Sequence, residues 1–259
     1  MKLSTAIVLS VCISVASFAA SGVAFAASGN PGTIRVISTV ALRQVFNELF
    51  PQFEKQTGYK IELETGGTVA VDKRVEAGEP FDVVVQVSTS IDKLIASGKI
   101  KLGSKTDLVR SGIAVAVKKG AKTPDISNAE AVKQAVLGSK TIGYSSGPSG
   151  LYMLELFKRW GIAEQIKDRL VQPPSGTQIG RLIAKGEVEI GFQQLGEFIH
   201  IGDEITVLGP LPADIQLINI YSAGITVQTK QQEAVEALLK FLTSPEASGA
   251  KTKNGMEPI

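Results

Sequence analysis

The chain alternates between two hydrophobic periods. From Thr33 onward, short β-branched runs with a strand's period of two give way to stretches where apolar residues recur every three or four positions, and a Gly, Pro or polar break marks each change. Ile34-Arg35-Val36-Ile37 predicts a strand. Residues 42–56 predict a helix with Leu42, Val45, Phe46, Leu49, Phe50 and Phe53 on one side. Pro51 sits inside that helix and predicts a kink, because proline lacks the backbone donor and its ring crowds the preceding turn. Strands follow at 59–64 and Val83-Val84-Val85, and helices at 69–77 and 91–96. Residues 108–117 read as a long strand leading into a second lobe. Beyond it the pattern resumes, with strands at Thr141-Ile142-Gly143-Tyr144 and Glu189-Ile190-Gly191-Phe192 and helices at 151–160 and Ile179–Lys185. Alternation over 218–227 predicts a return strand, and Gln232–Leu242 a closing helix.

Strand-helix-strand order requires crossover connections, so the fold class is α/β, with mainly parallel sheets flanked by helices. Two similar lobes joined by two crossings account for the repetition, at 33–112 plus 225–259 and at 113–224, with a ligand cleft between them.

The N-terminus follows a different pattern. Met1-Lys2 precedes an apolar run over 6–20 and then Ala24-Phe25-Ala26, the layout of a signal peptide over 1–26, cleaved near Ala26, with the periplasm as destination. Spanning a bilayer takes about 20 apolar residues, and Ser10, Ser14 and Ser17 dilute this shorter run, so no membrane insertion is expected after cleavage. Cys12, the only cysteine, leaves with the segment, which excludes disulfides and thiol chemistry from the mature chain. A lipoprotein reading of Leu9-Ser10-Val11-Cys12 would cut the apolar run in half and set bulky Val11 where a small residue belongs.

Charge and composition narrow the function classes. With 27 basic against 25 acidic residues there is no basic excess for nucleic acid, and 44% hydrophobic residues suffice for a packed core; a monomer is expected. A single histidine and no mature cysteine leave no transition-metal shell, and neither a Walker motif nor GxGxxG is present, so no metal or cofactor is expected.

Candidate chemistry lies in the strand-to-helix loops, which in open parallel sheets face the ligand crevice. Ser38-Thr39-Val40-Ala41, Thr65-Gly66-Gly67-Thr68, the run from Ser145 to Gly150, and Pro174-Ser175-Gly176-Thr177 are all rich in hydroxyls or glycine. Any one of them is also an ordinary cap or turn. Four at equivalent points of two lobes point to an anion site, where backbone N–H groups and positive helix ends converge.

Further landmarks have a recognisable order. Thr39-Val40-Ala41-Leu42 follows the first strand, Gly67-Thr68 the second, and Gly78-Glu79-Pro80-Phe81-Asp82-Val83 introduces the third. Pro148-Ser149-Gly150 with Tyr152, Lys185-Gly186-Glu187 ahead of Gly191, Phe241-Leu242 with Ser244-Pro245-Glu246-Ala247, and Gly255-Met256-Glu257-Pro258 complete the series. In these features the mature chain resembles the periplasmic molybdate-binding proteins of the type II solute-binding superfamily, as a divergent member. The resemblance implies a two-lobed type II periplasmic binding protein fold closing on a small anion. Ala41 stands where that family has an oxyanion-binding serine, and Gln193 where a tyrosine caps molybdate. An unmade hydrogen bond to a buried anion costs roughly 1–3 kcal/mol, so an organic polycarboxylate is expected rather than molybdate.

The expected ligand-binding residues are Ser38, Thr39, Ala41, Arg43, Thr68, Ser149, Gly176 and Gln193. Arg110 and Arg181 are further carboxylate partners to consider, whereas Lys73 and Arg74 have acidic helix neighbours in Asp72 and Glu76 that explain them equally well. Two functions are compatible with such a site. One is a receptor that delivers its anion to an ABC permease. The other, from similarity in size, export and pattern to aconitate isomerase, is cofactor-free interconversion of trans- and cis-aconitate, with Glu197, His200 or Tyr144 as the base.

Overall fold

A computed structural model describes residues 32–174 and 176–259; the expected signal peptide lies outside them. The first lobe begins with β1 (Thr33–Thr39), which passes through a 3₁₀ turn into α1 (Arg43–Thr57), then β2 (Lys60–Gly66), α2 (Thr68–Glu76), β3 (Val83–Val87) and α3 (Ser88–Ala96). The long strand β4 (Thr106–Lys118) leaves it. The second lobe holds α4 (Ala129–Gly138), β5 (Ile142–Tyr144), α5 (Pro148–Arg159), α6 (Ala163–Ile166), β6 (Leu170–Val171), α7 (Ile179–Lys185), β7 (Ile190–Gln194), α8 (Leu195–Ile199) and β8 (Ile205–Pro210). Then β9 (Ile218–Ile225), α9 (Gln232–Leu242), α10 (Ser248–Lys253) and β10 (Glu257–Pro258) close the chain.

The strand order is β2-β1-β3-β9-β4-β7-β5-β6, and its two halves mirror each other. β1 runs parallel to β2 and β3, and β5 parallel to β6 and β7. Each set of three is flanked by an antiparallel strand, β9 on β3 and β4 on β7. β4 serves both halves: it pairs with β9 through Gly112 and with β7 from Ile113. Glutamine side chains satisfy the backbone at this change of partner. Gln216 bonds both the N–H and the C=O of Ile113, and Gln194 links Ser111 and Gly112 of β4 to Asn219 of β9. Because β9 pairs along its whole length with β3 and the first half of β4, we place the return crossing before Ile218 instead of at 224/225.

Each sheet is buried on both faces, as parallel strands require. Ile34 and Val36 of β1 pack on one side with Phe46, Leu49 and Phe53 of α1 and Leu238 of α9, while Ile37 and Val84 pack on the other with Val71 and Ile91. In the second lobe Ile113, Val115 and Val117 face Val132, Met153 and Phe157, and the intervening Ala114 and Ala116 face Ile179, Ile183 and Phe198. α1 continues through Pro51. Pro51 and Asn47 are both exposed, so the carbonyl that proline leaves unpaired faces water and the phenylalanine face keeps its packing.

Candidate functional site

The C-terminal ends of β1, β2, β5 and β7 meet the helices that follow them around one cavity of about 40 Å³. Thr39, Ala41 and Thr68 line it from the first lobe, and Ser149, Gly176 and Gln193 from the second. Six of the eight expected ligand residues therefore share one wall. The N-termini of α2 and α5 enter from opposite lobes, bringing unpaired N–H groups and two positive dipole ends to the same space. Pro148 in the first turn of α5 presets the helical φ where its missing donor costs nothing.

The second-lobe loop is tied to its helix. Ser145 Oγ lies 2.9 Å from Ser149 Oγ and accepts the N–H groups of Gly147 (3.4 Å) and Gly150 (3.2 Å). A Cβ at Gly150 would overlap the carbonyl oxygen of Ser145, so only glycine lets α5 approach this closely. Gly191 does the same for α7: a Cβ there would meet Ile179 and Ile183.

Gln193 has a different duty from the one its sequence position suggests. Its Oε1 accepts the Ile179 N–H at the start of α7 (2.8 Å), and its Nε2 donates to Glu197 Oε2 (2.6 Å). It is buried, lines the cavity, and holds a carboxylate in place. Glu197, on α8, is buried in the same wall. Removal from water drives its pKa up to about 7, against the opposing pull of the Gln193 amide and of the Arg43 charge. Tyr221 lines the cavity from β9 on the other lobe; burial first, and then the Glu197 charge, raise its pKa and keep it a neutral hydroxyl.

Not every expected residue reaches this cavity. Ser38 is fully buried and turns its hydroxyl to the Thr39 carbonyl (3.0 Å). Arg43 lies outside the wall, bonded to Thr65, and lines an adjoining cavity with Arg181. Arg110 pairs with Glu257 (2.9 Å), and Arg74 is held by Glu64 and Glu79. Of the three candidate bases only Glu197 lines the cavity. His200 is exposed at the far end of α8, and Tyr144 stops short at the end of β5. The sequence reading missed Tyr221, since only the pairing of β9 with β3 and β4 carries that residue into the cleft. Among the described residues, no group of histidine, cysteine, aspartate and glutamate side chains is arranged to hold a metal ion, and no helix is long and apolar enough to cross a membrane.

Known proteins share this architecture. Residues 34–257 match the family model described as bacterial extracellular solute-binding protein. An aconitate isomerase from Pseudomonas sp is 34% identical over 233 residues, covering 88% of each chain. The molybdate-binding protein of Azotobacter vinelandii is 27% identical over 204 residues, covering 78% of this chain and 80% of its own. The solved periplasmic molybdate-binding protein of the same organism superposes with a TM-score of 0.74 at 22% identity, covering 86% of this chain and 98% of the other, which speaks to the fold alone. Two mirrored lobes meeting at an anion-suited cleft, and a model match spanning both, place this chain in the bacterial extracellular solute-binding protein family.

Proposed function

We propose that the protein is a periplasmic isomerase that interconverts trans- and cis-aconitate in the cleft, with Glu197 carrying the proton. One observation carries the reading: a buried carboxyl, poised near neutrality, in a cavity otherwise lined by hydroxyls, amides and helix N-termini. A passive oxyanion site would use this acid only in its neutral form, as one more hydrogen-bond donor, because the ionised form repels an anionic ligand. A proton-transfer catalyst needs a group whose pKa lies near the working pH. The 34% identity to an aconitate isomerase across most of both chains supports the same reading.

The chemistry balances without a cofactor. Glu197 takes a proton from the methylene of bound aconitate, and the electron pair spreads through the double bond into a neighbouring carboxyl as a dienolate. The protonated Glu197 then returns a proton to the former vinyl carbon, leaving the double bond shifted by one position and free to take the other geometry. Thr39, Thr68 and Ser149 supply neutral donors to substrate carboxylates, and the helix ends stabilise the charge that develops. Tyr221, held protonated, donates to that charge from the opposite lobe. Gln193 positions the base and leaves it a fixed lone-pair direction. The same chemistry disfavours molybdate, since Ala41 offers no hydroxyl and the Gln193 amide is already engaged.

A second reading is a polycarboxylate receptor that serves an ABC permease, which the family match favours. Incubating the purified mature protein with trans-aconitate and following cis-aconitate by proton NMR separates the two. Appearance of the cis isomer is expected. Binding of citrate or aconitate without turnover would leave the receptor, and a thermal shift with molybdate but with no tricarboxylate would overturn the ligand class.

A further inference from the structure

We infer that Arg43 and Arg181 form a second carboxylate subsite at the mouth of the cleft, which selects polycarboxylates over small oxyanions; this rests on the reading of the cleft as a tricarboxylate site. The inner cavity is the first reason. A water needs roughly 10–15 Å³ of such space, so about 40 Å³ corresponds to only a few atoms, less than a six-carbon tricarboxylate fills. Part of the molecule must lie elsewhere.

Next to the inner cavity is a larger one, of about 250 Å³, which shares Val40, Gly176 and Thr177 with it. Arg43 lines it from α1 of the first lobe and Arg181 from α7 of the second, with the amides of Gln44 and Gln178 beside them. Other arginines in the molecule are engaged: Arg35, Arg74 and Arg110 have carboxylates, Arg169 binds the carbonyls of Leu137 and Ser139, and Arg159 lies over the Tyr152 ring. Among the described residues, neither Arg43 nor Arg181 has a carboxylate within ion-pair distance. Arg43 is instead steadied by Thr65 Oγ1, which accepts from its Nε (2.8 Å) and one terminal nitrogen (2.5 Å), leaving the other edge of the guanidinium for a ligand. A planar fork of this kind recognises a carboxylate through two parallel hydrogen bonds.

The two arginines come from different lobes, so a carboxylate between them draws the lobes together over the inner cavity. It also offsets the Arg43 charge, which holds the Glu197 pKa down. Seating the outer carboxylate therefore makes the base stronger at the moment the substrate is in place.

The test uses tricarballylate, a saturated tricarboxylate that cannot isomerise, with affinity measured by calorimetry. Arg43→Gln and Arg181→Gln should each weaken binding tenfold or more, and Arg43→Lys, which keeps the charge but not the fork, should fall between. Arg110→Gln, which removes the same charge elsewhere, should change the affinity less than threefold. If wild type binds and both cleft variants stay within threefold of it, the subsite is wrong and the tricarboxylate reading stands. If wild type neither binds tricarballylate nor converts aconitate, both fall. Should Arg110→Gln weaken binding as much as the cleft variants, the effect is one of net charge and the subsite is overturned.

Discussion

Glu197 gives up hydration for a wall of neutral donors, and the consequence is a carboxyl with a pKa of about 7 instead of 4.5. A raised acid binds more protons in the folded than in the unfolded protein between those two values. Stability therefore falls as pH rises through that window, by about 3 kcal/mol if the whole shift is expressed, at about 1.4 kcal/mol per unit. Glu197→Gln removes the charge and keeps a partner for Gln193. Its melting temperature should match wild type near pH 4.5 and exceed it by about 5–10 °C above pH 7.5. A difference that does not change with pH would contradict the assignment. The activity profile runs the opposite way, since the base must be ionised: kcat/KM should rise to a plateau above about pH 7. Glu197 was one of three bases legible in the sequence; the register of α8 against the cavity separates it from His200, and the end of β5 leaves Tyr144 short of the cavity. Gln193 was legible as a cleft residue, but its role in holding Glu197 depends on a bond across one turn that follows a strand end.

Elements set the shape of the site through two close approaches. α5 reaches the Ser145 loop because Gly150 has no side chain, and α7 lies tight on β7 because Gly191 has none. Gly150→Ala must push α5 away from the Ser145 loop and break the bonds of Ser145 Oγ to Ser149 and the Gly147 N–H. A loss of about 1–3 kcal/mol in unfolding free energy is expected, together with at least tenfold weaker ligand binding, both measurable by denaturant titration with and without citrate. Unchanged affinity would show that the loop takes no part in the site. The periodicity gave the principal strands and helices because their apolar faces are strong. α4 escaped it: only Val132 and Val136 of its ten residues are buried, so its stripe is too thin to stand out. β6, two residues long, and β8, a strand paired only with β4, also carried no usable period. The glutamines at the crossing, Gln194 and Gln216, could not be read locally, since each bonds backbone from a segment distant in the sequence.

At the scale of the molecule, the order of strands and the hydroxyl-rich loops made two α/β lobes and a cleft legible, and the family match over residues 34–257 agrees. The proposed chemistry draws on groups from both lobes, Glu197 on one and Tyr221 on the other, which line one cavity and which local sequence does not connect. The most direct measurement follows trans-aconitate by proton NMR with wild type and Glu197→Gln side by side, with tricarballylate affinity measured on both. Wild type should carry trans-aconitate to its equilibrium mixture with the cis isomer. Glu197→Gln should bind tricarballylate at least as tightly and convert aconitate 10²- to 10⁴-fold more slowly, about the contribution of a general base. Equal rates for the two proteins, or binding with no conversion by wild type, would contradict the account.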